Sequence, residues 1–390
     1  MAPKGTVLDG QAELDLGLPT LPRMAWPEPG EVQRAPLPTG GLDGFSTSVF
    51  AQVYTSDYAT AARLVGYTGV GAVLTLRGTG PRWDQALGPV SELRRRTRTR
   101  SLLVDASEYS GKNRKTAEAG IDAEWNMEQH RYLDLSWALT NSGYAATLGH
   151  VRKLIHDGAD LPGQSITAVP IPSVVLRDEA PTIAWLAREQ GHPIALLLED
   201  ERDPFDDRDV VHAIAHVIEH AGNPVLLLRS DVSALGAISH GAVVGAVGAA
   251  GLRHIYPQLD GDGWLPPTAF VIPELLGYYL QTRFDKAYLR DPGHHAWVCS
   301  CWFCGGRSLI WIENQPKELI ARSVISHSVS ALAQIAERLA RHANPAAGWT
   351  DMCATAEALH LEIANPSGSP WDPKPALAHW QTLTPALVQA

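Results

Sequence analysis

The chain has 390 residues, of which 45% are hydrophobic, and it carries a formal net charge of −10. This length can bury a large core, and the negative charge argues against broad, non-specific coating of nucleic acid. No run of eighteen apolar residues and no apolar leader occurs in the sequence, so we expect no membrane span and no signal peptide.

Residues 1–43 are rich in proline and glycine and predict an extended arm. From residue 44, short apolar runs alternate with helical patterns. The predicted strands are Ser46–Tyr54, Ala72–Arg77, Ser101–Asp105, Ile166–Pro170, Ile194–Asp200, Val225–Asp231 and Ala242–Val247, with an eighth from within Arg131–Leu139. The predicted helices are Ser56–Leu64, Trp83–Arg96, Thr147–His156, Ala180–Gln190, Arg208–His220 and Ser233–His240.

Repeated βα units of this length predict an all-parallel sheet, and about eight of them predict a (β/α)8 TIM barrel over residues 44–290. No G-x-G-x-x-G follows an early strand and no Walker A motif occurs, which disfavours the open nucleotide-binding folds. Residues 291–345 predict a C-terminal zinc-binding subdomain with a long helix, Lys317–His342. Residues 346–390 form a tail without a readable motif.

Three of the four cysteines, Cys299, Cys301 and Cys304, form a compact Cys-x-Cys-x-x-Cys motif. Thiolates at this spacing can converge on one tetrahedral ion, and His327 on the long helix can complete a Cys3His set. We therefore predict a structural Zn²⁺ ion; unrelated reduced cysteines or a disulfide are the alternative. Since only Cys353 lies outside the motif, there is no disulfide framework, and we expect a cytoplasmic protein.

Three predicted strands end in an aspartate, Asp105, Asp200 or Asp231. A TIM barrel has its active site at the carboxyl ends of its strands, so these are candidate catalytic carboxylates. Asp200 and Asp231 could instead lie in a loop or cap the next helix. Arg253 and His254 follow a glycine-rich strand and are candidate phosphate-binding residues; an ordinary strand-end pair is the alternative.

Two further patterns have plainer interpretations. The basic run Arg94–Arg100 is typical of a solvated helix end, with a phosphate contact as the alternative. Three histidines at helical spacing, His212, His216 and His220, are interpreted as a helix surface and not as a metal site.

A barrel followed by Cys-x-Cys-x-x-Cys and a histidine on a long helix resembles the tRNA-guanine transglycosylase superfamily, over roughly residues 44–345. The resemblance implies that the Cys3His set binds zinc. It also places Asp105 and Tyr109 in the family's Asp-Ser-Gly-Gly-(Phe or Tyr) motif, with Ala106, Ser107 and Glu108 in place of Ser-Gly-Gly. In that motif the aspartate is an active-site carboxylate and the aromatic ring stacks on the base.

The sequence departs from the family at two points. The family's nucleophilic aspartate ends the last barrel strand, whereas Val243–Arg253 contains no carboxylate. The family's Gly-Gly-Leu turn is not evident either. If the chain is active, Asp105, Asp200 or Asp231 is expected to serve as nucleophile in a rearranged site.

The resemblance implies a glycosyltransferase, in detail a pentosyltransferase, that replaces guanine in a nucleic acid by a 7-deazaguanine derivative. Its partners would be the base and either tRNA, as in queuosine and archaeosine formation, or DNA. Members often dimerise, so homodimers and heterodimers both stay open. Two other classes also stay open: a partner or scaffold subunit that has lost the chemistry, and a barrel glycosidase that acts on a small nucleoside.

Overall fold

The computed structural model describes residues 37, 42–77, 83–249, 251–258, 268–364 and 371–383. These residues belong to one compact unit, Ala35–Ala390. The predicted N-terminal arm, residues 1–43, lies outside the described residues except for Leu37, Leu42 and Asp43.

Eight parallel strands confirm the predicted barrel. They are β1 (Val49–Tyr54), β2 (Gly71–Thr75), β3 (Leu102–Asp105), β4 (Ala138–Leu139), β5 (Ser165–Pro172), β6 (Ile194–Glu199), β7 (Val225–Ser230) and β8 (Val244–Gly248). Their order is β3-β2-β1-β8-β7-β6-β5-β4, and β1 pairs with both β2 and β8. The eighth strand is β4, and it comes from the end of the stretch Arg131–Leu139 that the sequence indicates.

Helices follow the strands around the ring. They are α1 (Tyr58–Thr68), α2 (Trp83–Thr97), α3 (Ala123–Arg131), α4 (Leu148–Ala159), α5 (Ser173–Gln190), α6 (Arg208–His220) and α7 (Ser233–Ser239). The chain continues through β9 (Ala269–Ile272), β10 (Gly277–Leu280), α8 (Gln281–Arg290), β11 (Val298–Cys299), β12 (Arg307–Ser308), α9 (Lys317–Leu339), α10 (Pro345–Ala364) and α11 (Pro375–Gln381). β9 pairs with β10 and β11 with β12, both antiparallel.

The ring has a seam between β3 and β4, where no ladder is formed among the described residues. The segments that follow these two strands close it by a parallel bridge between Thr116 and Tyr144. The Ala117 N–H donates to the Tyr144 carbonyl at 3.0 Å, and the Tyr144 N–H donates to the Lys115 carbonyl at 2.8 Å. The barrel is therefore nearly closed, with its seam tied at the carboxyl end.

Alternate residues of the strands form two separate cores, as the period of two along a strand dictates. Phe50, Val73 and Leu103 point into the barrel and pack with apolar residues of the other strands. Val49 and Ala51 point outward and join the larger core beneath the helices. The barrel interior is therefore filled, and only its carboxyl end can hold polar side chains without disrupting this packing.

Helix α9 packs against α1, β1 and β9. The helix predicted as part of an appended subdomain thus takes the place of the eighth barrel helix, and the Cys-rich hairpin lies between the last strand and the last helix. By length and composition α9 could cross a membrane, but most of it is buried inside the protein, as in the core helix of a soluble protein.

The predicted tail, residues 346–390, is not featureless, since α10 and α11 lie in its described part. Trp349 and Trp380 are buried beside α7. A Cβ at Gly236 would lie 2.6 Å from Trp349 Nε1 and 2.7 Å from Trp380 Cε2, so these helices pack directly on the backbone of α7. The described part of the tail is therefore part of the folded core.

Candidate functional site

Polar side chains form a layer inside the barrel at its carboxyl end. Each is the last or nearly the last residue of its strand, or follows it closely, and each is at most 9% exposed. The layer consists of Gln52, Thr75, Asp105, Asn141, Glu199 and Arg229. Because buried polar groups are costly unless they are paired, a layer of this kind marks the part of a barrel that serves chemistry or binding.

Asp105, the candidate carboxylate on β3, is the centre of a hydrogen-bond network. Its Oδ2 accepts from Gln52 Nε2 at 3.0 Å, Thr75 Oγ1 at 3.2 Å and Tyr109 OH at 2.7 Å. Its Oδ1 accepts from the Ser107 N–H at 2.8 Å. Burial raises the pKa of Asp105, against the opposing effect of the Tyr109 hydrogen bond. The network therefore holds a carboxyl that retains its proton more readily than an exposed one.

Tyr109 lies at this site, as the resemblance implies, but its ring is only 2% exposed. Burial and the neighbouring Asp105 raise the pKa of Tyr109 well above its usual value. In this conformation its ring offers no open face to a base. Stacking on Tyr109 would require movement of the loop that follows β3.

Arg229 is a buried cation that sequence reasoning missed. Its Nε donates to the His254 carbonyl at 3.1 Å, and its Nη1 donates to Ser107 Oγ at 3.3 Å. Arg229 has φ +50° and Ser107 has φ +54°, the left-handed region that non-glycine residues rarely occupy. Two such residues in contact are typical of a site in which the fold tolerates strain for function.

Glu199, at the end of β6, is a second buried carboxylate of the layer. It accepts hydrogen bonds from Arg114 Nη1 and Tyr144 OH. The Arg114 guanidinium carbon lies 3.7 Å from the centroid of the Tyr144 ring. Glu108 in turn accepts from Asn141 Nδ2 at 3.1 Å. The loop after β3 therefore crosses the barrel mouth to β4 and β6 and covers the layer.

The inward positions of Glu199 and Gln52 could have been predicted from the alternation of residues along their strands. Gln52 is two residues after the inward-facing Phe50, and Glu199 is two residues after Leu197, so each continues the inward face of its strand. The neighbouring Asp200, which the sequence analysis selected, falls on the other parity.

Asp200 and Asp231 form their hydrogen bonds with residues outside the polar layer. Asp200 accepts a hydrogen bond from Ser173 Oγ. Asp231 Oδ1 accepts from the Ser233 N–H at 2.8 Å, at the start of α7, and its Oδ2 accepts from Lys374 Nζ at 3.3 Å. The loop and helix-start alternatives thus describe these two carboxylates better than a role in the barrel mouth.

The end of β8 has no room for the carboxylate that the family places there. A Cβ at Gly248 would lie 1.7 Å from the Leu252 carbonyl oxygen, because the chain turns back tightly on this strand. Any residue larger than glycine would force the turn apart. The backbone at Gly248 therefore excludes a carboxylate side chain from the end of β8.

Arg253 and His254 lie just beyond this turn. His254 is 8% exposed, and burial, with the charges of Arg253 and Arg229, lowers its pKa to about 4. It is therefore neutral at pH 7 and adds no positive charge for a phosphate. The Arg253 guanidinium lies 4.9 Å from the centroid of the Tyr278 ring.

The four predicted metal ligands converge. Cys299, Cys301, Cys304 and His327 are buried, and their donor atoms all lie within 4.8 Å of one another. His327 Nδ1 is 3.1 Å from Cys304 Sγ, 3.7 Å from Cys301 Sγ and 3.9 Å from Cys299 Sγ. Zinc–sulfur bonds of about 2.3 Å in a tetrahedron separate the donors by roughly 3.8 Å, so a small adjustment accommodates one ion.

Hydrogen bonds around the cluster prepare these atoms for a metal. His327 Nε2 lies 2.6 Å from the Val271 carbonyl, which fixes the proton on Nε2 and leaves the Nδ1 lone pair facing the thiols. The Cys301 and Cys304 N–H groups each donate to the preceding ligand sulfur at 3.4 Å. Burial opposes ionisation of Cys301, but hydrogen bonds from the other ligands hold its pKa well below the usual value.

The three histidines of α6, His212, His216 and His220, do not form a second metal-binding cluster. Within the described part of the chain, no other group of three metal-ligating side chains has donor atoms this close. His212 Nε2 pairs with Thr382 Oγ1 at 2.8 Å, and His216 stacks on His220 with centroids 4.2 Å apart. The interpretation as a helix surface agrees with this geometry.

No protein-family model matches the chain, and neither does any curated protein. The fold and site define a (β/α)8 barrel with a Cys3His cluster between its last strand and last helix. Among solved structures, it is similar to a chain of the tryptophan synthase complex from Pyrococcus furiosus (10% identity, TM-score 0.34, covering 52% of this chain and 86% of that chain). It is also similar to the type I 3-dehydroquinate dehydratase from Clostridium difficile (9% identity, TM-score 0.36, covering 57% of this chain and 94% of that chain). A third similar structure is the pyruvate carboxylase of Rhizobium etli (12% identity, TM-score 0.34, covering 78% of this chain and 33% of that chain). None of these likenesses bears on activity.

Proposed function

We propose that the chain is a base-exchanging enzyme of the tRNA-guanine transglycosylase type, which replaces a guanine in tRNA or DNA by a 7-deazaguanine derivative. The observation that carries the proposal is the pair of buried carboxyl groups at the carboxyl end of the barrel, Asp105 on β3 and Glu199 on β6. Base exchange needs one carboxylate for the anomeric carbon and a second group that moves a proton. This layer contains both.

The two carboxyl groups divide the chemistry. The Glu199 carboxylate attacks C1′ of the nucleotide, the C1′–N9 bond breaks, and its electron pair leaves with guanine. Asp105, whose pKa is raised by burial, gives its proton to the departing base. The incoming 7-deazaguanine returns a proton from N9 to Asp105, and its N9 attacks C1′ and releases Glu199. The nearby Arg229 charge stabilises Asp105 while it is ionised.

Substrate must reach a layer that the loop after β3 covers. Gln258 Nε2 ties this loop down by donating to the Gly111 carbonyl at 2.9 Å and the Lys112 carbonyl at 3.2 Å. Opening of the loop would expose Tyr109 for base stacking and free Arg114, which pairs with Glu199. Arg114 and Lys112 would then lie beside the nucleic acid backbone.

The ion that we propose for the Cys3His cluster is Zn²⁺ in a structural role, since four protein ligands leave no open position for water. Cys299, Cys301, Cys304 and His327 would hold it. Four reduced cysteines fit a cytoplasmic protein, because thiols stay reduced there.

Two observations favour a second candidate, a partner subunit that kept the fold and lost the chemistry. Gly248 leaves no space for the family's nucleophile, and Asp231, which directly follows the neighbouring strand β7, is paired with Lys374. Such a subunit would bind nucleic acid or an active partner without exchanging a base.

A base-exchange assay distinguishes these functions. Purified protein is incubated with labelled 7-deazaguanine and either tRNA or duplex DNA, beside Asp105→Asn, Glu199→Gln and the control Asp178→Asn, an exposed residue paired with Arg177. Incorporation that is lost in the first two variants and kept in the control supports the enzyme. Incorporation that survives both substitutions refutes these roles. No incorporation by a metal-loaded protein favours the partner subunit, and turnover of free nucleoside favours a glycosidase.

A further inference from the structure

A cavity of about 640 Å³ lies at the amino-terminal end of the barrel, opposite the polar layer. Its walls come from the segments that precede β1, β3, β4 and β5 and from the ends of α2 and α3. Arg94, Arg98, Arg100 and His130 line it, together with the polar residues Ser136 and Gln164. Ligand sites commonly have volumes of about 300–1,000 Å³, so this cavity has the size of a small-molecule site.

The arginines of the basic run fall into two groups. Arg95 and Arg96 both pair with Glu92, the first at 2.8 Å, and lie outside the cavity. Arg98 and Arg100 are exposed residues that line it, and their side chains form no hydrogen bond or ion pair with any residue that the structure describes. Among the described residues, Arg98 and Arg100 therefore have no direct acidic partner, and Asp43 and Asp134 are the acidic residues that line the same cavity.

The remaining wall residues hold this charge in place. Arg94 Nη1 donates to the Leu133 carbonyl at 2.6 Å and pairs with Asp134 Oδ2 at 3.2 Å, so it fixes the loop that borders the cavity. Burial, with Arg100 as a further cause, lowers the pKa of Arg94 despite Asp134. Arg94 and Arg100 therefore repel each other, and an anion bound beside them would stabilise their charged forms.

His130 adds a polar atom without a partner. Its Nδ1 pairs with the Leu135 carbonyl at 2.9 Å, whereas its Nε2 is buried and unpartnered among the described residues. A Cβ at Gly163 would lie 3.2 Å from this Nε2, and Gly163 has φ +84°. A glycine is therefore favoured beside the histidine, whose Nε2 is a buried polar atom without a partner among the described residues at the edge of the cavity.

We propose that this cavity binds a small phosphate-bearing molecule, of the size of a nucleotide, with Arg98 and Arg100 as its cationic ligands. Guanidinium groups match phosphate oxygens in a bidentate geometry. The carboxylates of Asp43 and Asp134 stand at the same cavity. They disfavour a long nucleic acid backbone, which would pass close to both, more than a compact phosphate group held between the arginines. The site is independent of the base-exchange proposal, because it lies at the other end of the barrel.

The test is isothermal titration calorimetry of the full chain with inorganic pyrophosphate, ATP and a single-stranded oligonucleotide. The test variant is Arg98→Gln with Arg100→Gln. The matched control is Arg95→Gln with Arg96→Gln, which removes the same charge from the same run. Saturable binding of pyrophosphate or ATP that is at least about tenfold weaker in the test variant and unchanged in the control supports the site.

Three results would overturn it. They are the lack of saturable binding by either phosphate compound, an equal loss in both double variants, and binding of the oligonucleotide alone. Arg100→Gln alone, with a melting curve matched to the wild type, repeats the measurement if the double variant is less stable. A phosphate site predicts reduced affinity in this single variant too.

Discussion

At the scale of single residues, the barrel mouth is shaped as much by glycine as by its polar groups. The turn after β8 brings the Leu252 carbonyl against the Cα of Gly248, which leaves space for a hydrogen atom and nothing larger. The neighbouring strand end of β7 is strained instead, with Arg229 at φ +50°. The two adjacent strands thus end differently: β7 delivers a buried cation to the mouth, and β8 ends in a residue without a side chain.

Gly248→Ala is expected to destabilise the protein by more than about 4 kcal/mol, because a contact at 1.7 Å cannot be relieved without moving the backbone. Urea unfolding measures the change. Gly88→Ala is the matched control: it lies in α2, and a Cβ there meets nothing within 4 Å. A stable Gly248→Ala protein would contradict the tight turn at β8.

At the scale of elements, His327 links the hairpin of β11 and β12 to the rest of the protein, beside the stacking of Trp302 on Tyr67 of α1. His327 lies on α9 and reaches both the cysteine cluster and the Val271 carbonyl on β9. The ion would therefore connect the hairpin, α9 and the β9–β10 pair. Loss of the metal should loosen these elements together, and since α9 packs on α1 and β1, it should weaken the barrel as well.

Cys301→Ser is expected to lose the bound metal and to lower the unfolding temperature, because it removes one of four ligands and leaves two thiols buried beside His327. Metal content by plasma mass spectrometry and a thermal scan measure both effects. Cys353→Ser provides the control, since this thiol is equally buried but lies outside the cluster. About one zinc per chain in Cys301→Ser would exclude the ligand set.

At the scale of the whole molecule, an ion triad fastens the segment before α11 to the barrel. Lys374 Nζ lies 3.3 Å from Asp203 Oδ2 and 3.3 Å from Asp231 Oδ2. Burial and the adjacent Asp231 raise the pKa of Asp203 to about 8. Lys374 and the Ser233 N–H hold the pKa of Asp231 low against burial. Lys374 thus contacts two carboxyl groups, and Asp203 is the one that holds a proton near neutral pH.

The pH dependence follows from the sign of the Asp203 shift. Its pKa is about 8 in the folded state and 3.8 as a free group, so between these values the folded chain binds more protons than the unfolded chain. The contribution of Asp203 to the free energy of unfolding should therefore fall as pH rises from 5 to 8. Asp203→Asn should flatten this slope, whereas Asp178→Asn should not. Urea unfolding across this range measures it, and equal slopes in all three proteins would contradict the shift.

The sequence predicts most of the barrel because its strands are short apolar runs that end in polar residues, and it predicts the metal cluster because ligand spacing is local. The mouth was harder to predict. Asp105 was identified from its strand end, but Glu199 was hidden beside Asp200, and the Arg229 conformation depends on contacts with Ser107 and His254. Helices α10 and α11 were missed because the surface they cover, the backbone of α7 at Gly236, is formed only by the folded chain.

The position of α9 also bears on how the protein is made. β1, near the start of the chain, pairs with β8, and α9 packs against β1. A nascent chain that has released β1 to β8 from the ribosome still lacks this helix, and the cysteines of the cluster emerge before the histidine. If the cluster binds an ion, its capture by all four ligands therefore belongs to the same late stage of synthesis as the packing of α9 on the barrel.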